Sequence, residues 1–196
     1  MTLTLRETLE NESIYLPTPA RIVAVETLTD FEKVFSLELP GKVSLGHEPG
    51  QFVELSVFGV GEAPISITSS PSRSNGFFDL CVRRAGDMTS VLHRMGPGDI
   101  VGVRGPFGRP FPMKSFQGKD LLFAVGGLGM APARSVINQV LDERGKYGRL
   151  MVLYGARTPS DLLFKDDLAE WAEREDVELH VSVDRADEAW QGNVGV

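Results

Sequence analysis

The sequence predicts an antiparallel β-barrel followed by an α/β domain with a doubly wound parallel sheet. Two observations carry this prediction. Between about residues 18 and 106, short runs of β-forming residues alternate with Gly, Pro and Asn turn signals, a pattern typical of an antiparallel barrel. After residue 111, apolar runs alternate with amphipathic helical patterns in the order β-α-β-α-β, which indicates parallel strands joined by crossover helices.

The barrel strands are predicted from six runs: ARIVAVETL, KVFSLELPG, GQFVELSVFG, PISITSS, GFFDLCVRR and DIVGVRGPFG. An Asn-Gly pair at 75–76 indicates a hairpin between the fourth and fifth runs. One short helix interrupts the β pattern at DMTSVLHRM and ends at the Gly-Pro-Gly of 96–98. We therefore assign residues 17–112 to the barrel domain and residues 1–16 to an N-terminal extension.

The second half, residues 113–196, begins with the apolar run LLFAV at 121–125, which predicts a strand buried on both faces. PARSVINQVLDERGKYG then predicts a helix with one apolar stripe, RLMVLYGAR a second strand, DLLFKDDLAEWAERE a second helix and VELHVSVDR a third strand. About three strands and two helices fit here, whereas a doubly wound half usually has about five strands. We therefore expect this domain to be truncated.

Composition narrows the possible functions. The formal net charge is −7 and there is no long basic run, which argues against nucleic-acid binding. No apolar run approaches the roughly 20 residues that span a bilayer, and the N-terminal segment lacks the apolar core of a signal peptide, so we expect a cytoplasmic protein. With Cys81 as the single cysteine, and with His47, His93 and His180 far apart, we expect no metal site in this chain.

A glycine-rich turn, AVGGLGMAP at 124–132, joins the first α/β strand to its helix. Glycines allow close backbone approach to a phosphate, and a helix N-terminus supplies free N–H groups. Proline is favoured at the first helical position, so Pro132 is expected to begin the helix. The turn predicts a nucleotide site, and an ordinary tight βα turn is the alternative. The residues assigned to it are Gly126, Gly127, Leu128, Gly129 and Pro132.

The second α/β strand ends without the acidic residue that usually contacts a ribose hydroxyl. Arg157, Thr158 and Ser160 stand there instead, and they are able to accept a 2′-phosphate. The alternative is that Arg157 simply faces solvent, and the choice between NADH and NADPH stays open.

A second candidate phosphate turn precedes the short helix of the barrel domain. Gly86 to Thr89 combine a helix N-terminus with a hydroxyl, although helix capping by Thr89 or Asp87 explains the pattern equally simply. Arg83 and Arg84 precede this turn and suit either solvent or a phosphate.

Five segments, in this order, resemble the ferredoxin–NADP reductase superfamily: HEPGQFVELSV, PISITSSPS, GDMTSVLHRMGPGDIVGVRGPFG, AVGGLGMAP and VLYGARTPSDLLF. The sequence is most similar to the flavin- and NAD(P)-binding gamma subunits of cytosolic nickel–iron hydrogenases (sulfhydrogenases). The B component of anaerobic sulfite reductase and the electron-transfer subunit of dihydroorotate dehydrogenase are near relatives. The resemblance implies an FAD-binding barrel followed by an NAD(P)-binding α/β domain.

The resemblance also implies which residues hold the cofactors. Ala63-Pro64-Ile65-Ser66 occupies the position of an R-x-Y-S motif that holds flavin, so the motif's arginine and aromatic ring are both replaced. Ser66 is similar to the serine that hydrogen-bonds near flavin N5, and residues 127–132 match a G-x-G-x-x-P nucleotide turn. The implied FAD contacts are Pro64, Ile65, Ser66, Ile67, Arg83, Gly86, Met88 and Thr89.

The function implied is an FAD-dependent electron-transfer subunit that passes electrons between NAD(P)H and a partner redox subunit, hydrogenase-like or iron–sulfur. Cofactors carry such chemistry, which fits a sequence without a Ser-His-Asp or paired-carboxylate signature. Close relatives also hold a [2Fe–2S] cluster, whose cysteines are absent here. Two alternatives remain: a stand-alone NAD(P)H:flavin reductase, and a non-catalytic nucleotide-binding assembly module.

Overall fold

The computed structural model describes residues 15–195, and its first domain is a six-stranded antiparallel barrel. Nearly all of the expected N-terminal extension, residues 1–14, lies outside the described residues. The strands are β1 (Thr18–Thr27), β2 (Glu32–Glu38), β3 (Phe52–Val57), β4 (Gly61–Ser66), β5 (Phe77–Arg83) and β6 (Ile100–Phe107). They are ordered β4-β3-β6-β1-β2-β5. A bridge between Ile67 and Leu80 joins the two edges of this sheet, which closes the barrel.

The barrel core is built by alternation along the strands. In β3, for example, Val53, Leu55 and Val57 point inward and are buried, as the period of two requires. The helix α1 (Asp87–Leu92) packs Leu92 into this core. Its position therefore fixes the turn that precedes it, residues 83–86, against the barrel.

The second domain is a parallel sheet with crossover helices. Its strands are β7 (Leu121–Gly126), β8 (Leu150–Ala156), β9 (Glu178–Val183) and the short β10 (Asn193–Val194), in the order β10-β9-β8-β7. The helices are α2 (Met113–Phe116), α3 (Met130–Asp142) and α4 (Lys165–Ala172). The predicted sequence of an antiparallel barrel and a parallel α/β domain is thus confirmed.

Two expectations for the second domain were wrong. The strand β7 is not buried on both faces: Leu122 is 60% exposed, because within residues 15–195 the helices cover only the face that carries Phe123. The second helix, Lys165–Ala172, is shorter than the segment DLLFKDDLAEWAERE that was predicted to form it. Leu162 and Leu163 are buried but lie before α4, and Phe164 takes a left-handed φ of 52° that stops the helix from extending backwards.

The two domains share one apolar core. Val34 and Cys81 of the barrel belong to the same buried cluster as Met130, Tyr154 and Leu163 of the α/β domain. Burial raises the pKa of the Cys81 thiol to about 12, so this cysteine is an inert packing group. A shared core holds the two domains in a fixed relation.

Candidate functional site

The glycine turn lies at the carboxyl edge of the parallel sheet, between β7 and α3. Of its three glycines, Gly127 alone has a left-handed φ, 49°, whereas Gly126 and Gly129 have φ values of −130° and −59°. A Cβ at Gly127 or Gly129 would meet no atom of the described chain within 4 Å. The turn is therefore open on the side where a phosphate would approach, and it fits a nucleotide.

The helix α3 begins two residues earlier than expected. A 3-10 turn at Gly127–Gly129 leads directly into Met130, so Pro132 is the third residue of the helix and not the first. Proline is tolerated there because the first four N–H groups of a helix have no partner within it. The expectation that Pro132 starts the helix was wrong, although its place in the first turn was right.

Tyr154 of β8 supports the glycine turn from below. Its hydroxyl donates to the Gly127 carbonyl at 3.3 Å and accepts from the Leu163 N–H at 3.2 Å. Burial raises the pKa of Tyr154 to about 12, so the hydroxyl keeps its proton at neutral pH. Sequence reasoning took this tyrosine for an ordinary strand residue, since only the fold brings its hydroxyl beneath the turn.

Arg157 lies exposed just beyond β8, at the same edge of the sheet as the turn. The Arg185 N–H donates to the Arg157 carbonyl at 2.9 Å, so two exposed arginines end neighbouring strands. Thr158 and Ser160 bond to each other at 2.8 Å, and Thr158 also donates to Asp161 at 2.7 Å. These hydroxyls are engaged locally, which leaves the arginines as the groups suited to a further phosphate.

The predicted flavin motif occupies β4 at the edge of the barrel sheet. Cross-strand pairing sets Ser66 opposite Phe52 and Pro64 opposite Glu54, whereas Ile65 lies opposite the buried Val53. Ser66 and Pro64 therefore share the outer face of the strand. Ile67 departs from expectation, because its side chain is fully buried in the barrel core and its N–H donates to the Gln51 carbonyl at 3.0 Å. Its side chain cannot contact a cofactor.

The Gly86–Thr89 turn faces the start of β4. The Thr89 hydroxyl accepts from the Ala85 and Gly86 N–H groups at 2.9 and 3.0 Å and donates to the Gly86 carbonyl at 3.0 Å. The Thr89 hydroxyl therefore caps the start of α1 and fixes the shape of the turn, as the capping alternative predicted. A Cβ at Gly86 would meet nothing within 4 Å, and one at Gly61 would lie 3.9 Å from the Met88 Cβ. The open turn beside β4 fits a pyrophosphate.

Two arginines near this site are held by carboxylates. Arg83, an expected FAD contact, forms an ion pair with the buried Glu32 and keeps about half of its side chain exposed. Arg104 of β6 donates to Glu62 of β4 at 2.6 Å. This hydrogen bond holds the pKa of the Glu62 carboxyl below its usual value. A guanidinium thus lies beside the motif whose own arginine is replaced, at a position that the sequence indicated only as part of a barrel strand.

A row of hydrogen bonds connects the segment after the flavin motif to α3. The Ser69 carbonyl accepts from the Ser135 hydroxyl at 2.8 Å and from His47 Nε2 at 3.1 Å. Arg73 forms a bidentate ion pair with Asp142, with the Nε and Nη2 atoms 3.0 and 2.8 Å from Oδ1. These contacts run along α3 from its second turn to its last residue.

Arg134 is the most connected residue of this interface. Its Nε lies 2.9 Å from an Asp167 carboxylate oxygen, its guanidinium lies 4.9 Å from the centre of the Phe164 ring, and its Nη1 donates to the Thr68 carbonyl at 3.4 Å. Thr68 is two residues from Ser66, and Arg134 is two residues from Pro132. The fold thereby brings the predicted flavin motif and the predicted nucleotide turn to one interface, which the sequence alone did not indicate.

The chain matches two domain families of known proteins. Residues 19–111 match the oxidoreductase FAD-binding domain, and residues 123–196 match the oxidoreductase NAD-binding domain. Among the described residues, no group of three His, Cys, Asp or Glu side chains is placed to hold a metal ion. None of the described helices combines the length and apolar character needed to cross a membrane.

Individual relatives agree with these domains. The chain is 45% identical over 193 residues to sulfhydrogenase 1 subunit gamma of Pyrococcus furiosus, covering 94% of this chain and 65% of that protein. It is 32% identical to ferredoxin–NADP reductase B of Sorangium cellulosum, covering 91% and 75%. A ferredoxin–NADP reductase structure from Neisseria gonorrhoeae with bound FAD and NADP has a TM-score of 0.76 at 23% identity, covering 91% and 72%. The chain thus spans about two thirds of its sulfhydrogenase relative.

Proposed function

Because the chain belongs to the ferredoxin–NADP reductase-like family of FAD- and NAD(P)-binding oxidoreductases, we propose that it passes electrons between NAD(P)H and a partner redox subunit. The observation that carries this proposal is the α3 interface. One end of α3 forms the open glycine turn, and its polar face is bonded to the segment that follows Ser66. Two nucleotide sites held this closely suit transfer between two cofactors.

The residues of this chain would divide the work as follows. Pro64, Ile65 and Ser66 would hold the flavin ring, the Gly86–Thr89 turn its pyrophosphate, and the Gly126–Gly129 turn with Arg157 the nicotinamide nucleotide. Bound FAD supplies the chemistry, since flavins accept two electrons from NAD(P)H and release them singly. The chain's part is to orient the rings, with the Ser66 hydroxyl as the hydrogen-bonding group near flavin N5, and to keep the Gly127 turn in place through Tyr154.

The partner is proposed to be an iron–sulfur or hydrogenase-like subunit. Support comes from the relatives, which are named as a sulfhydrogenase gamma subunit and as probable electron-transfer subunits of dihydroorotate dehydrogenase. A cytoplasmic location, expected from the sequence, suits a protein that draws on NAD(P)H.

The test uses the full-length protein, purified and supplied with FAD. We expect it to show flavin absorbance that NAD(P)H bleaches under anaerobic conditions, while turnover without a partner stays slow. Replacing Ser66→Ala should slow bleaching on the order of tenfold or more, since it removes a hydrogen bond at the reacting centre, and should leave FAD content largely unchanged. The exposed Ser115→Ala serves as the matched control.

Three results separate this function from its alternatives. Fast NAD(P)H oxidation with free flavin and no partner would instead identify a stand-alone flavin reductase. A full-length protein that neither retains nor takes up FAD would contradict the proposal and would favour the alternative of a non-catalytic assembly module. An equal effect of Ser66→Ala and Ser115→Ala would remove Ser66 from the site.

A further inference from the structure

Glu32, the first residue of β2, carries a buried charge at the end of the barrel nearest the phosphate turns. Among residues 15–195 it is the only Asp, Glu, Lys or Arg residue that is buried, and its side chain is 4% exposed. Burying a carboxylate costs free energy unless the charge is paired and hydrogen-bonded. The burial of Glu32 therefore indicates a role that a carboxylate on the surface would not fill.

The carboxylate of Glu32 is held from two sides. Its Oε1 accepts from Arg83 Nε, and its Oε2 accepts from the Thr29 hydroxyl. The backbone is fixed as well, because Thr29 Oγ1 accepts from the Glu32 N–H at 3.0 Å and the Glu32 carbonyl accepts from the Leu28 N–H at 3.0 Å. The turn between β1 and β2 thus presents the carboxylate to Arg83 in one position.

The Arg83 side chain is anchored near its middle and open at its end. Its Nε contacts Glu32, whereas neither of its terminal nitrogens forms a hydrogen bond within residues 15–195, and 48% of the side chain is exposed. A guanidinium held in this way keeps both terminal nitrogens for the bidentate hydrogen bonds that a phosphate accepts. A side chain that is already ordered also loses less conformational entropy when a ligand binds.

The opposite end of β2 carries an ion pair of the same kind with a different geometry. Arg21 and Glu38 are direct cross-strand partners, as are Arg83 and Glu32. At Glu38 the contact is made by the terminal nitrogen Nη2 of Arg21, and the carboxylate side chain is 16% exposed. A cross-strand ion pair on β2 therefore requires neither full burial nor contact through Nε, and both features are particular to Glu32.

The pair of Glu32 and Arg83 lies near both candidate phosphate turns. Arg83 ends β5, three residues before Gly86. Burial is the main cause of the raised pKa of Tyr154, but the charge of Glu32 also raises this pKa and the charge of Arg83 lowers it. The pair is therefore close to the hydroxyl that contacts the Gly127 carbonyl at 3.3 Å. This placement suits a pyrophosphate bound at either turn.

We propose that Glu32 is a positioning residue, which orients Arg83 for the pyrophosphate of a bound dinucleotide, FAD or NAD(P)H. The inference rests on the proposed function, because that function supplies the dinucleotides. Glu32 and a phosphate carry charges of the same sign and repel each other. Removing the charge of Glu32 therefore tightens pyrophosphate binding if Glu32 is only a counter-charge, and weakens it if Glu32 positions Arg83.

The experiment measures equilibrium binding to the full-length protein in two arms. One arm compares FAD with riboflavin by flavin fluorescence, using protein freed of flavin, and the other compares ADP-ribose with adenosine by calorimetry. In each arm the first ligand carries a pyrophosphate that the second lacks, so the ratio of the two Kd values isolates the contribution of the pyrophosphate. The arm in which this ratio changes identifies the cofactor whose pyrophosphate meets Arg83.

Three variants are compared with the wild type. Glu32→Gln keeps the size of the side chain and removes its charge. Thr29→Ala keeps the charge and removes the hydroxyl that fixes Glu32 Oε2, so it tests positioning alone. The matched control is Glu38→Gln, which removes the carboxylate paired with Arg21 at the far end of the same strand. Urea unfolding establishes that each variant is folded.

We expect Glu32→Gln to raise Kd for FAD or for ADP-ribose about fivefold, and Thr29→Ala about twofold, because ordering a long side chain on binding costs factors of this size. Kd for riboflavin and adenosine should not change, and Glu38→Gln should match the wild type in both arms. In an Arg83→Met background, Glu32→Gln should have no further effect, since its influence passes through Arg83.

Unchanged or lower Kd values for both FAD and ADP-ribose in Glu32→Gln would overturn the proposal. An equal loss of affinity for the ligands that lack a pyrophosphate would also overturn it, because that result indicates a general structural role. If Glu32→Gln does not fold, the result for Thr29→Ala decides by the same criteria. Both arms measure binding, so bound flavin that NAD(P)H fails to bleach in the wild type would refute the proposed function alone.

Discussion

Arg134 offers the sharpest test of how the two domains are held together. Its side chain is 19% exposed and that of Asp167 is 13% exposed, with 2.9 Å between Arg134 Nε and the carboxylate. Replacing Arg134→Met keeps the apolar stem and removes the guanidinium, which leaves Asp167 poorly solvated and without this partner. The free energy of unfolding should fall, because a partly buried charge loses its hydrogen-bonded counter-charge.

The size of the loss can be worked from the contacts. A hydrogen bond to a charged group contributes about 1.5–3 kcal/mol, and a cation over an aromatic ring such as Phe164 contributes about 0.5–1 kcal/mol. Residual exposure weakens both contributions, so we expect a loss of about 2–3 kcal/mol. Arg149→Met is the matched control: its pair with Glu178 is also close, at 3.0 Å, but Arg149 is 76% exposed and should cost under about 0.5 kcal/mol.

The assay is urea unfolding followed by tryptophan fluorescence, which reports on this core because Trp171 is fully buried in it and Trp190 packs against it. A double-mutant cycle with Asp167→Asn isolates the pair, and we expect a coupling energy of at least about 1 kcal/mol. If the two substitutions are additive within about 0.3–0.5 kcal/mol, or if Arg134→Met costs no more than Arg149→Met, the pair does not hold the interface and the reasoning is refuted.

Four further predictions concern the cofactor sites and pH. Gly127→Ala forces a Cβ into a left-handed position that opens toward the ligand, so NAD(P)H affinity should drop while the free energy of unfolding falls by only about 1 kcal/mol; titration and urea unfolding check this. Thr89→Ala should raise the dissociation constant of FAD several-fold by loosening the turn, as measured by flavin fluorescence, and Thr89→Ser should restore it. Arg157→Ala should raise KM for NADPH but not for NADH if a 2′-phosphate binds there, and an equal rise for both would exclude that role. Burial alone would raise the pKa of Asp142, but the hydrogen bonds of Arg73 lower it below 3.8; the stability that Asp142 adds is therefore present above pH 3.8, and the gap in unfolding free energy between wild type and Asp142→Asn should close as the pH falls below it.

The sequence was informative about the fold where local chemistry decides the structure. Strand alternation and the helical stripe of α3 are properties of neighbouring residues, and both appear in the structure. The hairpin predicted from the Asn-Gly pair at 75–76 was wrong: β4 and β5 lie at opposite edges of the sheet order and are joined only by the bridge between Ile67 and Leu80. Predictions from the sequence were wrong where tertiary contacts decide the structure. The apolar run LLFAV predicted a strand buried on both faces, because a sequence does not show which face of a strand the helices cover. In the structure Leu122 is exposed. The second helix starts late because Phe164 takes a left-handed conformation that no propensity indicates.

In the candidate site, too, local features were predictable from the sequence and long-range contacts were not. Glycine spacing predicted the nucleotide turn, since φ and backbone access depend on a few consecutive residues. The residues that support it come from elsewhere in the chain: Tyr154 is 27 positions from the carbonyl it contacts, and Arg134 is 66 positions from Thr68. Long-range polar contacts of this kind leave no short motif, so only the fold reveals them.

The helix α3 explains why these distant contacts matter for function. Its first turn continues the glycine turn at Gly127, and its polar face then bonds in succession to the segment 68–73, which begins two residues after Ser66. A shift of α3 along this segment would therefore move the nucleotide turn relative to the flavin motif, and electron transfer between two cofactors depends strongly on their relative position. The apolar cluster of Val34, Cys81 and Met130 resists separation of the domains but is non-directional. The directional hydrogen bonds of Arg134, Ser135 and Asp142 are what select one register, so their loss should impair hydride transfer more than it impairs the binding of either cofactor.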